Sequence, residues 1–467
     1  MITHISIDGF KSFRGFKMEF TPFTVIAGLN ASGKSNLFDA LELLSRLATL
    51  NLRDAFPERR GSVTELFTLV EGDTYLSHID FKVEMLVSRR VKDNWGQEAD
   101  IKSPRLRYEL RIERGRNVHG FEELFVAHEK LSKIPTAEDS WSKHYLPRHA
   151  AALWKSTQAG GSAKPFIETE PREGVPTIYI RQDGRQGGKA TPANAINQTV
   201  LAGTNSVDFP HVFAAKEEMR SWQFMQLNPD DLRKPTVQDA KMSYYLSHSG
   251  ANLAAALYRI KTADPDAMIG ISRQLMRFLP EFVGVDVVND EANKQFIVRL
   301  KNKDGKEFSS RVLSEGTLRL LALMVIQADP EYQGLLCFEE PENGIHPMRI
   351  PQMARLLLHL TTDFEEADAP LRQAIVNTHS PLLVREMLQV ASPQSVSVWL
   401  SKMHTLVTTF EDRRVQMKCS TVNRVSLDPQ THLDVPGAAF TIADLTQYLA
   451  TINESVESAS IHITTPH

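Results

Sequence analysis

The stretch Val25–Asn36, VIAGLNASGKSN, carries the spacing G-x-x-x-x-G-K-[ST]. Glycine at 28 and 33 lets backbone N–H groups converge on a phosphate with no Cβ in the way. Lys34 is spaced to reach β- and γ-phosphates. Ser35 can ligate Mg²⁺ and open a helix whose positive end favours the anion. Asn30, Ala31, Ser32 and Asn36 fill out the loop assigned to a nucleotide. The alternative for so short a pattern is a glycine-rich surface turn.

Three further stretches could do chemistry. In QGLLCFEEPENGIHP, a short apolar run, Leu335–Phe338, ends in Glu339 and Glu340. Adjacent carboxylates are costly to hold together unless a cation or a proton neutralises them. Beside phosphates, Glu339 would hold Mg²⁺ through water and Glu340 would orient and deprotonate an attacking water. The same two residues also read as a solvated acid pair at a strand end.

In LSEGTLRLLALM, Leu313–Met324, Ser314 is a natural N-cap and Gly316 leaves the helix start open. One reading is a capped core helix. The other is a helix N-terminus that binds the γ-phosphate of an ATP held by another subunit. In QAIVNTHSPLL, AIV reads as a buried strand that delivers His379 to the same edge, though a lone histidine also suits a packed core.

The elements around the glycine loop fit the phosphate-binding reading. HISIDGF and FTVIAG read as two strands flanking KSFRGFKMEF. SNLFDALELLSRLATL has helical period, with Leu37, Ala40, Leu41, Leu44 and Leu47 on one face. Strand, glycine loop and helix form the context the motif requires. Residues 75–131 read as β-rich. RLRYELRIER alternates, with Leu106, Tyr108, Leu110 and Ile112 on one face and a solvated face of Arg105, Arg107, Glu109, Arg111 and Glu113 on the other. RGRNVHG reads as the turn before FEELFVAHEKL. Residues 132–200, with TQAGGSAKP and RQDGRQGGKATP, read as an irregular insertion with mobile parts. Helices follow at ANLAAALYRI and DPDAMIGISRQLMRFL, then strands at VGVDVVND and KQFIVRLKNKDGK. The tail reads as strands at SVSVWLSK and HTLVTTFED and a helix at FTIADLTQYLATI.

Composition narrows the class. The chain has 467 residues, a formal net charge of −4, and Cys337 and Cys419 as its cysteines. That excludes a disulfide framework and a cysteine-rich zinc site, and it suits a reducing cytoplasm. No basic segment followed by an apolar one marks a signal peptide at MITHISIDGFKSF. The longest apolar run, Leu318–Ala328, is too short to span a bilayer, so no membrane partner is expected.

Phosphate loop, then LSxG helix, then a strand ending in two acids, then a strand ending in histidine is the order found in ABC-type ATPase heads. On GLNASGKSNLFDAL, LSEGTLRLLAL, FEEPENGIHP and NTHSPLL the chain resembles the RecF-like, overcoming-lysogenization-defect-like AAA/ABC ATPases, relatives of the chromosome-maintenance proteins. Residues 220–256 resemble the family's linker into the second half of the head. The resemblance implies an α/β fold: an ABC-type P-loop ATPase head with a β-rich N-terminal lobe and a mixed insertion between its halves. The divisions are 1–85 and 220–390 for the halves, 86–219 for the insertion and 391–467 for an extension.

It implies ATP and Mg²⁺ as cofactors, Lys34 and Ser35 on nucleotide and metal, Glu339 on Mg²⁺, and Glu340 as catalytic base. It also implies that His379 is the switch histidine and that Ser314 and Gly316 act in trans within a head-to-head homodimer or larger homo-oligomer. YLSHIDFKV, residues 75–83, stands where the family's Q-loop is expected and has no glutamine.

Residues 86–300 show no sustained heptads and no cysteine, which removes the long coiled-coil and hook-bearing relatives. Residues 380–467 have no Asp-x-Asp; Asp412, Asp428, Asp434 and Asp444 are scattered, which argues against a Toprim nuclease. Two functions remain. One is the ATPase sensor or scaffold of a bacterial anti-phage system, as in PARIS-type and Septu-type systems. Its partners would be a separately encoded effector such as a nuclease and a phage-protein or DNA trigger. The other is a RecF-like clamp on DNA ends or gaps, which needs a continuous basic groove.

Overall fold

The computed structural model describes residues 1–425 other than 57–62, 117–119, 157–163, 183–188, 194–196, 240–244, 363, 365–369, 391 and 393. The helix expected over Phe440–Ile452 lies outside the described residues. So do the centre of RGRNVHG and most of TQAGGSAKP and RQDGRQGGKATP, including the mobility expected there.

The described strands build two large sheets. The first is six-stranded, in the order Gln223–Met225, Gly334–Glu339, Arg372–Thr378, Phe23–Ala27, Val396–Phe410 and Arg413–Arg424. Its first five strands run parallel and the last turns back antiparallel. A parallel strand covered on both faces needs apolar residues throughout, and FTVIA and GLLCFE supply them. Alternation sends neighbours to opposite sides. Ile26, Cys337 and Ile375 join a core with Leu37, Leu41 and Leu44 of helix Lys34–Leu47. Val25, Phe338 and Val376 join another with Leu320, Met353 and Leu383, from the helices Glu315–Ala328, Ile350–Leu358 and Pro381–Val390.

The second sheet is antiparallel and eight-stranded. From one edge it runs Lys189–Pro192, Val175–Ile180, Ile167–Arg172, Glu122–Lys133, Arg105–Arg116, His78–Leu86, Ile2–Asp8 and Phe16–Glu19. Its inner face, with Ile5, Ile7, Phe81, Val83, Tyr108 and Leu110, shares the core of helix Lys34–Leu47. A smaller sheet, Thr236–Val237, Gln295–Asn302, Phe282–Asp290 and Glu307–Ser309, packs with helices Leu253–Ala263 and Pro265–Phe278 in the other core. The fold is therefore α/β, with a phosphate-loop head and sheet-rich lobes. Among the described residues no helix is long and apolar enough to cross a membrane.

Four expectations change. Residues 1–27 hold three strands, because Phe16–Glu19 pairs with Ile2–Asp8. Residues 132–200 are not merely irregular: Ser140–Tyr145 and Arg148–Leu153 are helical, and three strands extend the large sheet. Their hairpin turns at Glu173 (φ 53°) and Gly174 (φ 80°), a two-residue turn without the Asn-Gly or Asp-Gly signature. SVSVWLSK and HTLVTTFED are one strand, Val396–Phe410, because the turn falls at Glu411 and Asp412. Arg105 is not on a solvated face; it is 4% exposed, with its guanidinium on Asp139 and the Thr3 hydroxyl.

Candidate nucleotide site

The site is assembled at the carboxyl ends of the parallel strands, where α/β sheets present their loops. The central strand Phe23–Ala27 runs directly into the glycine loop. Gly28 (φ 154°), Ala31 (φ 63°) and Gly33 (φ 93°) bend it, and Gly33 is the N-cap of helix Lys34–Leu47. A Cβ at Gly28 would lie 2.6 Å from the Ser401 carbonyl, and one at Gly33 would lie 1.9 Å from Ser420 Oγ. Both positions require glycine for space as well as for φ. Lys34 is buried, and its ammonium donates to the carbonyls of Gly28 (2.7 Å) and Leu29 (2.9 Å). Burial pushes it below the usual lysine range, against the pull of Glu340, Glu342 and Glu339. Asn30, Ala31 and Ser35 are exposed, Ser32 is buried, and Asn36 Nδ2 donates to Ser12 Oγ at 2.7 Å.

Glu339 ends its strand level with Asn377 of the neighbouring strand. Glu340 follows with φ 47°, a left-handed conformation rare for glutamate. Its N–H donates to the Asn377 carbonyl at 2.8 Å. Its two carboxylate oxygens meet His379 Nδ1 (2.9 Å) and Asn343 Nδ2 (2.6 Å). His379 is exposed, so it stands at the rim and not in the core. Lys34, Glu339, Glu340 and His379 thus lie together at the ends of the parallel strands.

Ser314 caps helix Glu315–Ala328 by accepting from the Thr317 N–H, the role its position suggested. Ser314 is exposed. Gly316 is buried, and a Cβ there would lie 2.5 Å from the Gly344 carbonyl. Helix Glu315–Ala328 therefore abuts the turn that follows Glu340.

Several residues here were not singled out in the sequence. Glu342, Asn343, Asn377 and Thr378 lie inside the quoted motifs but carried no separate signal. Ser401 and Ser420 come from the extension after residue 390. Ser401 Oγ donates to the Ser32 carbonyl at 2.8 Å, and Ser420 Oγ lies 2.7 Å from Ser12 Oγ. The strand of Ser401 was expected at SVSVWLSK and that of Ser420, Arg413–Arg424, was not, and nothing marked either residue as the back wall of the loop.

Three buried polar atoms near the strand ends have no hydrogen-bond partner: Ser32 Oγ, Glu342 Oε2 and Asn377 Oδ1. Buried polar atoms ordinarily find partners. A glycine cradle, a buried ammonium, adjacent carboxylates and unmatched polar atoms fit a nucleotide phosphate with its hydrated cation. A second cluster, Asp8, His78 and Asp80, brings three ligand-type atoms within 4.8 Å of one another on the large sheet. Its carboxylates are already engaged by Arg14, the Gly15 N–H and Arg111.

No curated protein matches the chain. Three solved structures similar to it are SMC heads. One is an SMC head bound to the C-winged helix domain of ScpA (14% identity, 91% of this chain and 98% of that one, TM-score 0.48). Another is the SMC head domain from Thermotoga maritima (14%, 91% and 99%, TM-score 0.37). The third is an SMC head with an extended coiled coil bound to the C-terminal domain of ScpA, from Pyrococcus furiosus (12%, 97% and 99%, TM-score 0.40). A family model described as "AAA domain, putative AbiEii toxin, Type IV TA system" matches residues 23–144 and 205–385, a span that holds the glycine loop, Ser314, both acids and His379. The chain belongs to this family and is an AAA-type ATPase.

Proposed function

We propose that this ATPase is the sensor or scaffold subunit of a bacterial anti-phage defence system, holding a separately encoded toxic effector until a trigger arrives. The observation that carries the catalytic part is the convergence of Lys34, Glu339, Glu340 and His379 at one sheet edge. In this reading the loop Gly28–Asn36 binds ATP, Ser35 and Glu339 hold Mg²⁺, and Glu340 deprotonates the attacking water. Mg²⁺ supplies charge neutralisation at the phosphates. Exposed Ser314 and the helix start at Gly316 complete the site of a second copy, so the working form is a head-to-head homo-oligomer.

The defence role takes its support from the toxin–antitoxin description of the family. The DNA-clamp alternative has less behind it. The arginines of the richest basic strand are engaged within the chain: Arg105 on Asp139, Arg107 on Glu84 and Arg111 on Asp80.

The test is to purify the chain alone and measure oligomeric state, ATP hydrolysis and cleavage of plasmid, RNA and a peptide. ATP hydrolysis by an oligomer that cuts nothing supports the reading. Cleavage by the pure chain that is lost in Glu340→Gln overturns the separate effector. A monomer with full ATPase activity overturns the shared site.

A further inference from the structure

We propose that Glu342, outside the residues assigned above, is a positioning residue that sets how His379 meets Glu340. The inference rests on the ATPase reading of this site.

Glu342 lies on the turn after the paired acids and is 7% exposed. Its Oε1 accepts from the hydroxyl of Thr378, the last residue of strand Arg372–Thr378. The same Thr378 oxygen accepts from the Ser380 N–H at 2.9 Å. Ser380 Oγ in turn accepts from the Leu383 N–H at 3.3 Å, at the start of helix Pro381–Val390. His379 therefore stands between two residues pinned through one buried carboxylate. The other partner of the pair is held by the same turn, because Asn343 Nδ2 donates to Glu340 Oε2 at 2.6 Å. Two consecutive residues, Glu342 and Asn343, thus grip the histidine's strand end and the base respectively.

A filler role does not account for a glutamate here. Glu342 Oε2 is buried without a partner, and an unmatched buried carboxylate oxygen is costly where an apolar side chain would fill the space more cheaply. What an apolar residue cannot do is hold the Thr378 hydroxyl in the orientation that receives the Ser380 N–H. Glu342 touches neither of the two reacting side chains in the hydrogen-bond pattern. It acts through Thr378 on the direction of His379.

The experiment uses the full chain with ATP and Mg²⁺, reading kcat by phosphate release, ATP affinity by calorimetry and folding by thermal melts. Glu342→Ala and Thr378→Val are each expected to lower kcat about tenfold while ATP affinity stays within about twofold. Glu342→Gln keeps an acceptor and Thr378→Ser keeps the hydroxyl, so both are expected to hold kcat within about threefold of wild type. In a His379→Ala background, Glu342→Ala is expected to add no further loss, because residues acting as one unit are not additive. Folded Glu342→Ala at the wild-type kcat overturns the inference, as does a full extra loss on top of His379→Ala. If Glu342→Ala fails to fold, Thr378→Val against Thr378→Ser decides on the same criteria. His379→Ala at the wild-type rate overturns the positioning role while leaving the ATPase reading intact, and wild-type protein that binds ATP without hydrolysing it overturns both.

Discussion

His379 Nδ1 lies 2.9 Å from Glu340 Oε1, across the ends of two neighbouring parallel strands. Glu340 makes this contact from a left-handed backbone conformation, at a cost of about 1–2 kcal/mol. The cost is offset locally by its N–H bond to Asn377 and by Asn343 on its other oxygen. A carboxylate held on both oxygens is fixed in direction, which suits the base role proposed for Glu340.

Glu340→Gln is accordingly expected to keep ATP bound and to slow hydrolysis by about a hundredfold or more. Phosphate release in single-turnover conditions, with calorimetry for binding, checks it. Hydrolysis at the wild-type rate would place the base elsewhere.

Lys34→Ala removes the ammonium proposed to meet the phosphates. This group donates to the Gly28 and Leu29 carbonyls. ATP affinity is expected to fall about tenfold or more, because a charge-assisted hydrogen bond is lost. Calorimetry on the folded variant decides, and unchanged affinity refutes the phosphate role.

Gly33→Ala tests the back wall of the loop. The new methyl would meet Ser420 Oγ at 1.9 Å and Ser420 Cβ at 2.7 Å, at a φ of 93°. Loss of ATP binding and a lower melting temperature are expected. Ser420→Gly in the same chain should restore part of both, with the φ penalty of about 1–2 kcal/mol remaining. No recovery in the double variant would mean that the tail hairpin does not support the loop.

Glu129 gives a pH signature remote from the site. Its buried carboxylate accepts from Tyr108 OH (3.0 Å), Val200 N–H (2.7 Å) and Leu201 N–H (2.9 Å), yet burial pushes it from 4.5 to about 7. Between these values the folded chain holds a proton that the unfolded chain has released. Stability therefore falls as pH rises through this window, by on the order of 3 kcal/mol, and the loss is complete above it. Melting temperatures from pH 5 to 8 should decline in wild type and decline less in Glu129→Gln. Parallel curves would show that Glu129 does not set the trend.

The sequence was most legible where one physical requirement acted alone. FTVIAG and GLLCFE read as buried strands because both faces are covered, and the Leu37–Leu47 stripe read as a helix because one face is. Ser314 read as a cap because its side chain answers a local need of the first turn. What was not legible depended on distant pairings. Arg105 looked solvated by alternation, but Asp139 folds back to cover it. Strand Ile167–Arg172 is held by neighbours, with two prolines, Pro171 and Pro176, opposite each other in its hairpin. Glu342 looked like one more acid in a motif, and only Thr378, brought alongside by strand pairing, shows what it grips.

Ser12 and Ser420, which meet beneath the phosphate loop, are 408 positions apart in the chain. The loop therefore leaves the ribosome well before its rear support. A nascent chain exposes the glycine motif long before that support exists, and domains fold as units during synthesis. Translation halted before Ser420 leaves an engine without its firing chamber.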